Sequence, residues 1–173
     1  MLTSLASSAF AFALALTGAS STPSVSSGPG PLRIADSIVV EKKSRRLTLY
    51  HMGRAMRSYR VALGGSPTLD KVMRGDRRTP EGLFFIEARN PNSQFHLSLR
   101  ISYPSARHRE VAAKLGVDPG DDIMIHGLPN GRRKVGKFHL TKDWTNGCVA
   151  LTDEEMEEIW SAVPVGTPVE IKA

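Results

Sequence analysis

The sequence has one cysteine in 173 residues, and aromatic side chains make up only 6% of it. A single cysteine excludes an intramolecular disulfide, so a hydrophobic core has to hold the fold and the thiol of Cys148 needs another explanation. The apolar run at residues 9–16 is far shorter than the roughly 20 residues that span a bilayer. Basic and aromatic residues are not interleaved in the way that stacks nucleic-acid bases, and we expect no nucleic-acid partner.

Charge is missing from the first thirty residues, which contain no Lys, Arg, Asp, Glu or His. Their apolar run followed by small residues predicts an export signal at residues 1–19 and no membrane span once it is removed. A hydrophobic tail on a cytoplasmic protein is the alternative. Residues 20–33 are rich in Ser, Pro and Gly and predict a flexible linker. The net charge of +6 therefore belongs to residues 31–173, and it favours phosphate-bearing polymers or lipid head groups outside the cytoplasm.

The pattern of residues 34–173 predicts one mainly β domain with one or two short helices. A capping box at Thr152 and Glu155 predicts a helix over residues 153–163, and a second helix is expected at residues 109–115, closed by Gly116. Alternating apolar residues and turn signals mark the strands. Strands are predicted at Ser37–Glu41 and at residues 47–50, 55–63, 83–88, 95–102, 122–126 and 167–171.

Cys148 follows a glycine and precedes the capped helix. A nucleophilic cysteine needs a base and donors for the oxyanion that forms when it attacks a carbonyl. His126, at the end of a predicted strand, is the favoured base, although it lies 22 positions earlier and can meet Cys148 only through the fold. His139 is the competing base.

Ile125-His126-Gly127 followed by Thr145-Asn146-Gly147-Cys148 resembles the signature of the L,D-transpeptidase (YkuD-type) catalytic domain family. The resemblance extends over residues 34–171. It implies a β-sandwich-like fold and an exported enzyme, in the periplasm or on the cell-wall face, that acts on peptidoglycan stem peptides. Further matching segments lie at residues 46–50, 59–64, 75–82 and 101–104.

The resemblance also implies roles for individual residues. Cys148 would attack the carbonyl of the third stem residue, release the terminal D-alanine and form a thioester. An amine of a neighbouring stem, or of a wall-anchored protein, would then accept the acyl group. His126 would be the proton donor and acceptor, oriented by the backbone carbonyl of Gly127. No metal or cofactor is implied.

Substrate and oxyanion contacts are expected from Thr145, Asn146, Gly147 and His139. Many family members have histidine in place of Asn146. Many also have arginine where this chain has Ala150, and arginine suits carboxylate binding.

Other functions remain open at this point. The same thioester handed to water would make a carboxypeptidase, or an amidase that cleaves stem peptides or links between the wall and proteins. A non-catalytic wall-binding module, an inert buried cysteine, and a zinc site formed by His126, His139 and Cys148 are weaker alternatives.

Overall fold

The computed structural model describes residues 33–173. The predicted export signal and all of the predicted linker except residue 33 lie outside that part of the chain, so both stay predictions. No helix among residues 33–173 has the length and apolar content to cross a membrane.

Eight strands form a mixed sheet in the order β3-β2-β1-β8-β4-β5-β6-β7. Two neighbouring pairs, β1 with β8 and β6 with β7, are parallel, and the other neighbours are antiparallel. The predicted mainly β fold is confirmed. The strands are β1 (Ser37–Glu41), β2 (Arg46–His51), β3 (Arg54–Arg60), β4 (Gly82–Ser93), β5 (His96–Ile101), β6 (Met124–His126), β7 (Val149–Ala150) and β8 (Pro168–Lys172).

The β4 strand is twice as long as residues 83–88, the range that the sequence predicted. Its first residues pair with β8 and the remainder pairs with β5, with register shifts between Ile86 and Ala88 and between Asn90 and Ser93. Asn and Pro at residues 90–92 have the composition of a turn. Pairing with β5 overrides that local signal, and the irregular register accommodates the proline.

Two α helices and one 3₁₀ segment complete the domain. The α1 helix (Ala106–Leu115) begins three residues before the predicted range, because Ser105 caps it by accepting from the His108 N–H, and it ends at Gly116 with φ of 66°. A 3₁₀ segment (Arg133–Thr141), interrupted at Gly136, was not predicted.

The α2 helix (Asp153–Ala162) begins where the sequence predicted. Thr152 accepts from the Glu155 N–H and the Glu155 carboxylate accepts from the Thr152 N–H, which completes the capping box. Met156 and Ile159 are fully buried on its inner face. The helix follows directly after β7, so its start is fixed beside the end of the sheet that carries His126.

Candidate active site

The parallel pairing of β6 with β7 brings His126 and Cys148 together. Ile125 is registered with Val149 and His126 with Ala150, and the Leu151 N–H donates to the His126 carbonyl at 3.0 Å. Cys148 is therefore next to the position of Met124, two residues before His126 on the same strand. Side chains two residues apart share a face of a strand. The thiol and the imidazole are thus diagonal neighbours on one face, although 22 positions separate them in the sequence.

The ring of His126 is held in one tautomer. Its Nδ1 lies 2.7 Å from the carbonyl oxygen of Gly127. A carbonyl oxygen only accepts, so Nδ1 carries the proton in this contact and Nε2 keeps a lone pair. A Cβ on Gly127 would lie 2.8 Å from Asp153 Oδ1 and 3.1 Å from the carbonyl oxygen of Phe95. Glycine is therefore required at this position by space, and the carbonyl that orients His126 is held in a tightly packed turn.

The carboxylate of Asp153 supports this turn from the start of α2. Its Oδ1 accepts from the Leu128 N–H at 2.8 Å, and the Asp153 side chain is buried. From the sequence, Asp153 was predicted only as the first residue of the helix. The contact across the fold leaves no local sequence signal, because the two residues are 25 positions apart.

Aromatic rings enclose His126, which is 3% exposed. The Phe95 ring centroid lies 4.6 Å from that of His126, and Trp144 packs edge-on at 5.8 Å. Burial disfavours the charged imidazolium and lowers the pKa of His126 to about 4, with the hydrogen bond to Gly127 acting in the opposite direction. His126 is consequently a neutral proton acceptor throughout the neutral and mildly acidic range.

The thiol of Cys148 is also in its neutral form at rest. Burial raises its pKa above the ordinary thiol value, and a hydrogen bond from the Met124 backbone opposes that change. The sulfur lies 3.6 Å from the carbonyl oxygen of Asp122. The resting pair is therefore an uncharged thiol beside an uncharged imidazole. Such a pair can generate a nucleophile if the proton moves to histidine as the sulfur attacks.

A tight turn over Thr145, Asn146 and Gly147 presents the cysteine. The buried Thr145 hydroxyl donates to the Cys148 carbonyl at 2.8 Å and accepts from the Gly147 N–H at 3.1 Å. Gly147 has φ of 128°, and a Cβ there would lie 2.6 Å from the Arg78 carbonyl oxygen. The Gly147 N–H is thus already used, whereas the Cys148 N–H has no hydrogen-bond acceptor within residues 33–173. Asn146 is exposed.

A long loop between β3 and β4 forms the wall against this turn. Asp76 organises it by accepting from the Lys71 ammonium at 2.8 Å and from the N–H groups of Val72, Met73 and Arg78. Burial raises the pKa of Asp76 and these hydrogen bonds lower it, so that the pKa lies below its usual value. Lys71 in turn lies close enough to Cys148 for its charge to favour the thiolate. In the sequence, Asp76 belonged only to a segment that matches the family, and Lys71 was not among the predicted site residues.

Asp143 attaches the Cys148 turn to the first half of the sheet. Its carboxylate accepts from the Leu63 N–H at 3.0 Å and from the Arg45 guanidinium at 2.8 Å. The Thr145 N–H adds a bond to the Leu63 carbonyl. Asp143 was not among the predicted site residues, since its partners lie more than 75 positions away in the chain.

His139 lies elsewhere in the site. It is 6% exposed, its two ring nitrogens have no hydrogen-bond partner among the described residues, and burial lowers its pKa. It lines a pocket with Trp144, whereas Cys148 is not part of that lining. The strand pairing thus places His126, and not His139, beside the cysteine. Among residues 33–173, no group of three or more His, Cys, Asp or Glu side chains is arranged to hold a metal ion.

The model of the L,D-transpeptidase catalytic domain (YkuD) matches residues 35–171, most of the chain. The chain belongs to this family. It is 28% identical over 145 residues to YqjB of Bacillus subtilis (strain 168), a protein named as an L,D-transpeptidase. The match covers 82% of this chain and 74% of YqjB.

Solved structures of low identity share the fold. The helical cell shape determining protein Pgp2 of Campylobacter jejuni superposes with a TM-score of 0.61 at 21% identity, over 84% of this chain and 52% of Pgp2. LdtMt1, an L,D-transpeptidase solved in complex with imipenem, superposes with a TM-score of 0.51 at 17% identity, over 78% of this chain and 57% of LdtMt1. The chain thus spans little more than half the length of these two proteins.

Proposed function

We propose that this L,D-transpeptidase-family protein uses Cys148 to form a thioester with the third residue of a peptidoglycan stem peptide and transfers it to an amine. The sulfur forms a bond to the carbonyl carbon, and the bond from that carbon to the nitrogen of the terminal D-alanine breaks. The thiol proton moves to Nε2 of His126 and then to the leaving nitrogen. An acceptor amine attacks the thioester, gives its proton to His126, and regenerates the thiol.

The observation that carries this proposal is the fixed tautomer of His126 beside the cysteine. Nδ1 is occupied by the Gly127 carbonyl at 2.7 Å, so Nε2 is the nitrogen left to take a proton. The parallel register of β6 and β7 puts that ring and Cys148 on one face. A histidine bound in this way serves as a base first and as an acid afterwards, which the two half-reactions both require.

The oxyanion of the tetrahedral intermediate needs donors near the sulfur. We assign the Cys148 N–H to this role, because it has no acceptor within the described residues, with the Gly147 N–H available only if it leaves Thr145. Asn146 is exposed beside the cysteine, and we assign it a contact with the substrate. Thr145 holds the turn by its two hydrogen bonds and acts as a positioning residue.

A peptidoglycan substrate implies a protein outside the cytoplasmic membrane, which is also what the export signal predicted at residues 1–19 implies. A neighbouring stem or a wall-anchored protein would supply the acceptor amine, and the reaction would contribute to cell-wall biogenesis and cell shape. Water competes for the same thioester, and the hydrolytic alternatives use the same two residues. An assay has to measure acylation and the acceptor separately.

Acylation is tested by intact-mass measurement of the full chain after incubation with a carbapenem, a class that includes imipenem. We expect one covalent adduct on the parent protein, none on Cys148→Ala, and an adduct that forms at least about 100-fold more slowly on His126→Gln. His51→Gln, on β2 with its ring against the Ile34 carbonyl, is the matched control and should retain acylation by the carbapenem. If the parent protein takes no adduct and leaves stem peptides intact, the result would contradict the proposed reaction and favour the wall-binding module.

The acceptor is tested by incubating the parent protein with a tetrapeptide stem and a labelled amine. Label in the product supports transfer, and release of free tripeptide with no label in the product supports the carboxypeptidase alternative. Cys148→Ala should give neither product.

A further inference from the structure

The 3₁₀ segment and the turn that follows β6 enclose a pocket of about 340 Å³ that the proposed reaction does not use. Neither Cys148 nor His126 lines it, and no acidic residue does. The pocket wall is mostly apolar, through Leu128, Pro129, Val135, Phe138 and Trp144. Several of its residues are exposed, so the pocket forms part of an apolar patch on the protein surface.

Phe138 extends from the 3₁₀ segment into solvent and is 74% exposed. The segment is interrupted at Gly136, whose φ of 48° and ψ of −141° redirect the chain just before the phenylalanine. His139, directly after it, is 6% exposed and holds the segment in the protein. A large aromatic ring is therefore presented to water from a fixed base, next to the apolar wall of the pocket. Apolar surface of this kind favours contact with an apolar partner.

Two cations lie on the same patch. Arg132 and Lys142, the residues directly before and after the 3₁₀ segment, both line the pocket and are both exposed. Neither forms an ion pair with another of residues 33–173. Lys137 differs, because it lies with acidic residues of α2 around another pocket. We call Arg132, Phe138, Lys142 and the pocket that they line the apolar–basic face.

The carboxylates nearest to these cations in the chain and across the fold have other partners. Asp143, which follows Lys142, binds the Arg45 guanidinium at 2.8 Å. Glu154 and Glu157 bind Arg133 at 2.8 and 3.1 Å, which also ties the 3₁₀ segment to α2. The two cations of the apolar–basic face thus remain available to an external anion.

A phospholipid membrane fits this face better than a soluble phosphate polymer does. The polymer would neutralise the cations but leave the ring of Phe138 in water. A membrane offers phosphate at its surface and acyl chains directly beneath, and the apolar side chains of surface-bound segments reach roughly 5–10 Å into that boundary. The net charge of +6 adds attraction toward an anionic membrane.

We propose that the protein docks on the surface of an anionic phospholipid membrane through the apolar–basic face, with Phe138 at the boundary of the acyl chains and Arg132 and Lys142 on lipid phosphates. One ring and two cations give peripheral, reversible binding. Trp144 lines the face and packs edge-on against His126, with the ring centroids 5.8 Å apart. A docked protein therefore holds its candidate active site close to the membrane.

The test measures binding of the full chain to sedimented vesicles of phosphatidylcholine, with and without phosphatidylglycerol. We expect binding at least about 20-fold tighter to the anionic vesicles, because each cation near such a surface contributes about fivefold. Residues 1–32 contain no charged side chain, so they cannot produce this preference, and they are the same in every variant.

Paired charge variants separate the face from general attraction to a basic protein. Arg132→Gln with Lys142→Gln should reduce the preference for anionic vesicles to about threefold or less. Arg54→Gln with Arg109→Gln removes the same charge from exposed positions on β3 and α1, and the preference should stay within about twofold of the parent value. An equal loss in both double variants would overturn the assignment of the face.

The aromatic ring has its own pair of variants. Phe138→Ser should weaken binding to the anionic vesicles about tenfold, because the ring no longer leaves water. Met52→Ser, at a position that is 80% exposed between β2 and β3, should leave binding unchanged. If Phe138→Ser binds as tightly as the parent, and soluble poly(glycerol phosphate) displaces both equally, the partner is a phosphate polymer and the membrane proposal is wrong.

Backbone hydrogen exchange locates the contact. Residues 132–142 should exchange more slowly when anionic vesicles are present, and residues 51–54 should not change. Vesicle binding without slower exchange at residues 132–142 would overturn the proposal. Binding is measured without a substrate, and the face includes neither Cys148 nor His126, so failure of acylation would leave this result unaffected.

Discussion

Acylation of Cys148 should remain fast in mild acid, because His126 keeps its proton-accepting form there. The buried ring has its pKa lowered to about 4, compared with about 6.5 for an ordinary histidine. The base works only when neutral, so a lowered pKa extends activity to lower pH. A neighbouring carboxylate would instead raise the pKa of a histidine, and the rate would then already decrease as the pH falls below 7.

The expected magnitude follows from the two pKa values. At pH 5, a group with a pKa of about 4 is about 90% neutral, whereas an ordinary histidine is about 3% neutral. Between pH 7 and pH 5 the acylation rate should therefore fall by only about 10%. An ordinary histidine would cause a fall of about 25-fold over the same interval.

The assay is the second-order rate of carbapenem adduct formation, measured by intact mass between pH 4.5 and 8, with the stability of the free drug measured at each pH. The rate should be nearly flat above pH 5, because the thiol of Cys148 is neutral over this whole range and His126 removes its proton during attack. His126→Gln should lose this plateau, and only a slow reaction that rises with pH should remain.

Two results would refute the reasoning. A half-maximal rate near pH 6.5 would show that the ring titrates as an exposed histidine does, against the packing of Phe95 and Trp144 around it. A rate that rises about tenfold per pH unit up to pH 8 in the parent protein would show attack by a preformed thiolate, with no part for the histidine as base.

Three further predictions concern stability, each measured by urea unfolding. Gly147→Ala should lower the free energy of unfolding by about 1–3 kcal/mol and abolish acylation, because Gly147 has φ of 128° and a Cβ there would lie 2.6 Å from the Arg78 carbonyl oxygen. The control is Gly131→Ala, where φ is 80° and a Cβ would meet nothing within 4 Å. It should lower the free energy of unfolding by only about 1 kcal/mol and leave acylation unchanged. Thr145→Val should lower the free energy of unfolding by about 1–3 kcal/mol and slow acylation, because the Gly147 N–H and the Cys148 carbonyl lose their buried partner. An unchanged acylation rate would contradict the positioning role of Thr145. His126 has a lower pKa in the folded state than in the unfolded state, so its contribution to the free energy of unfolding is complete above pH 6.5 and is lost as the pH falls. We expect a loss of about 2 kcal/mol between pH 7 and pH 4.5 that is absent from His126→Gln. Equal acid sensitivity of both proteins would contradict the lowered pKa.

Much of the fold followed from local pattern. The capping box at Thr152 fixed the start of α2 to the residue, and alternation of apolar residues located β5. The errors came where tertiary pairing overrode local composition. Residues 90–92 look like a turn but continue β4, and the two residues of β7 are too few to show any period.

The candidate site divides in the same way. The motif around Cys148 and the glycine after His126 were visible in the sequence, because a motif is a matter of local order. The contacts of Asp76, Asp143 and Asp153 were not, because each involves a common surface residue whose function depends on backbone groups brought to it by the fold. No spacing rule connects such residues to the groups that they bind.

The sequence by itself determined the family, the mainly β class, and the histidine and cysteine that can do the chemistry. Only the tertiary structure decided which histidine stands beside the thiol, since the register of two parallel strands sets that neighbour. It also decided the protonation state of the pair, because burial by Phe95 and Trp144 lowers the pKa of His126 and burial of the sulfur raises that of Cys148. Residue types establish what a side chain can do, and the surrounding dielectric and hydrogen bonds establish the form in which it does so.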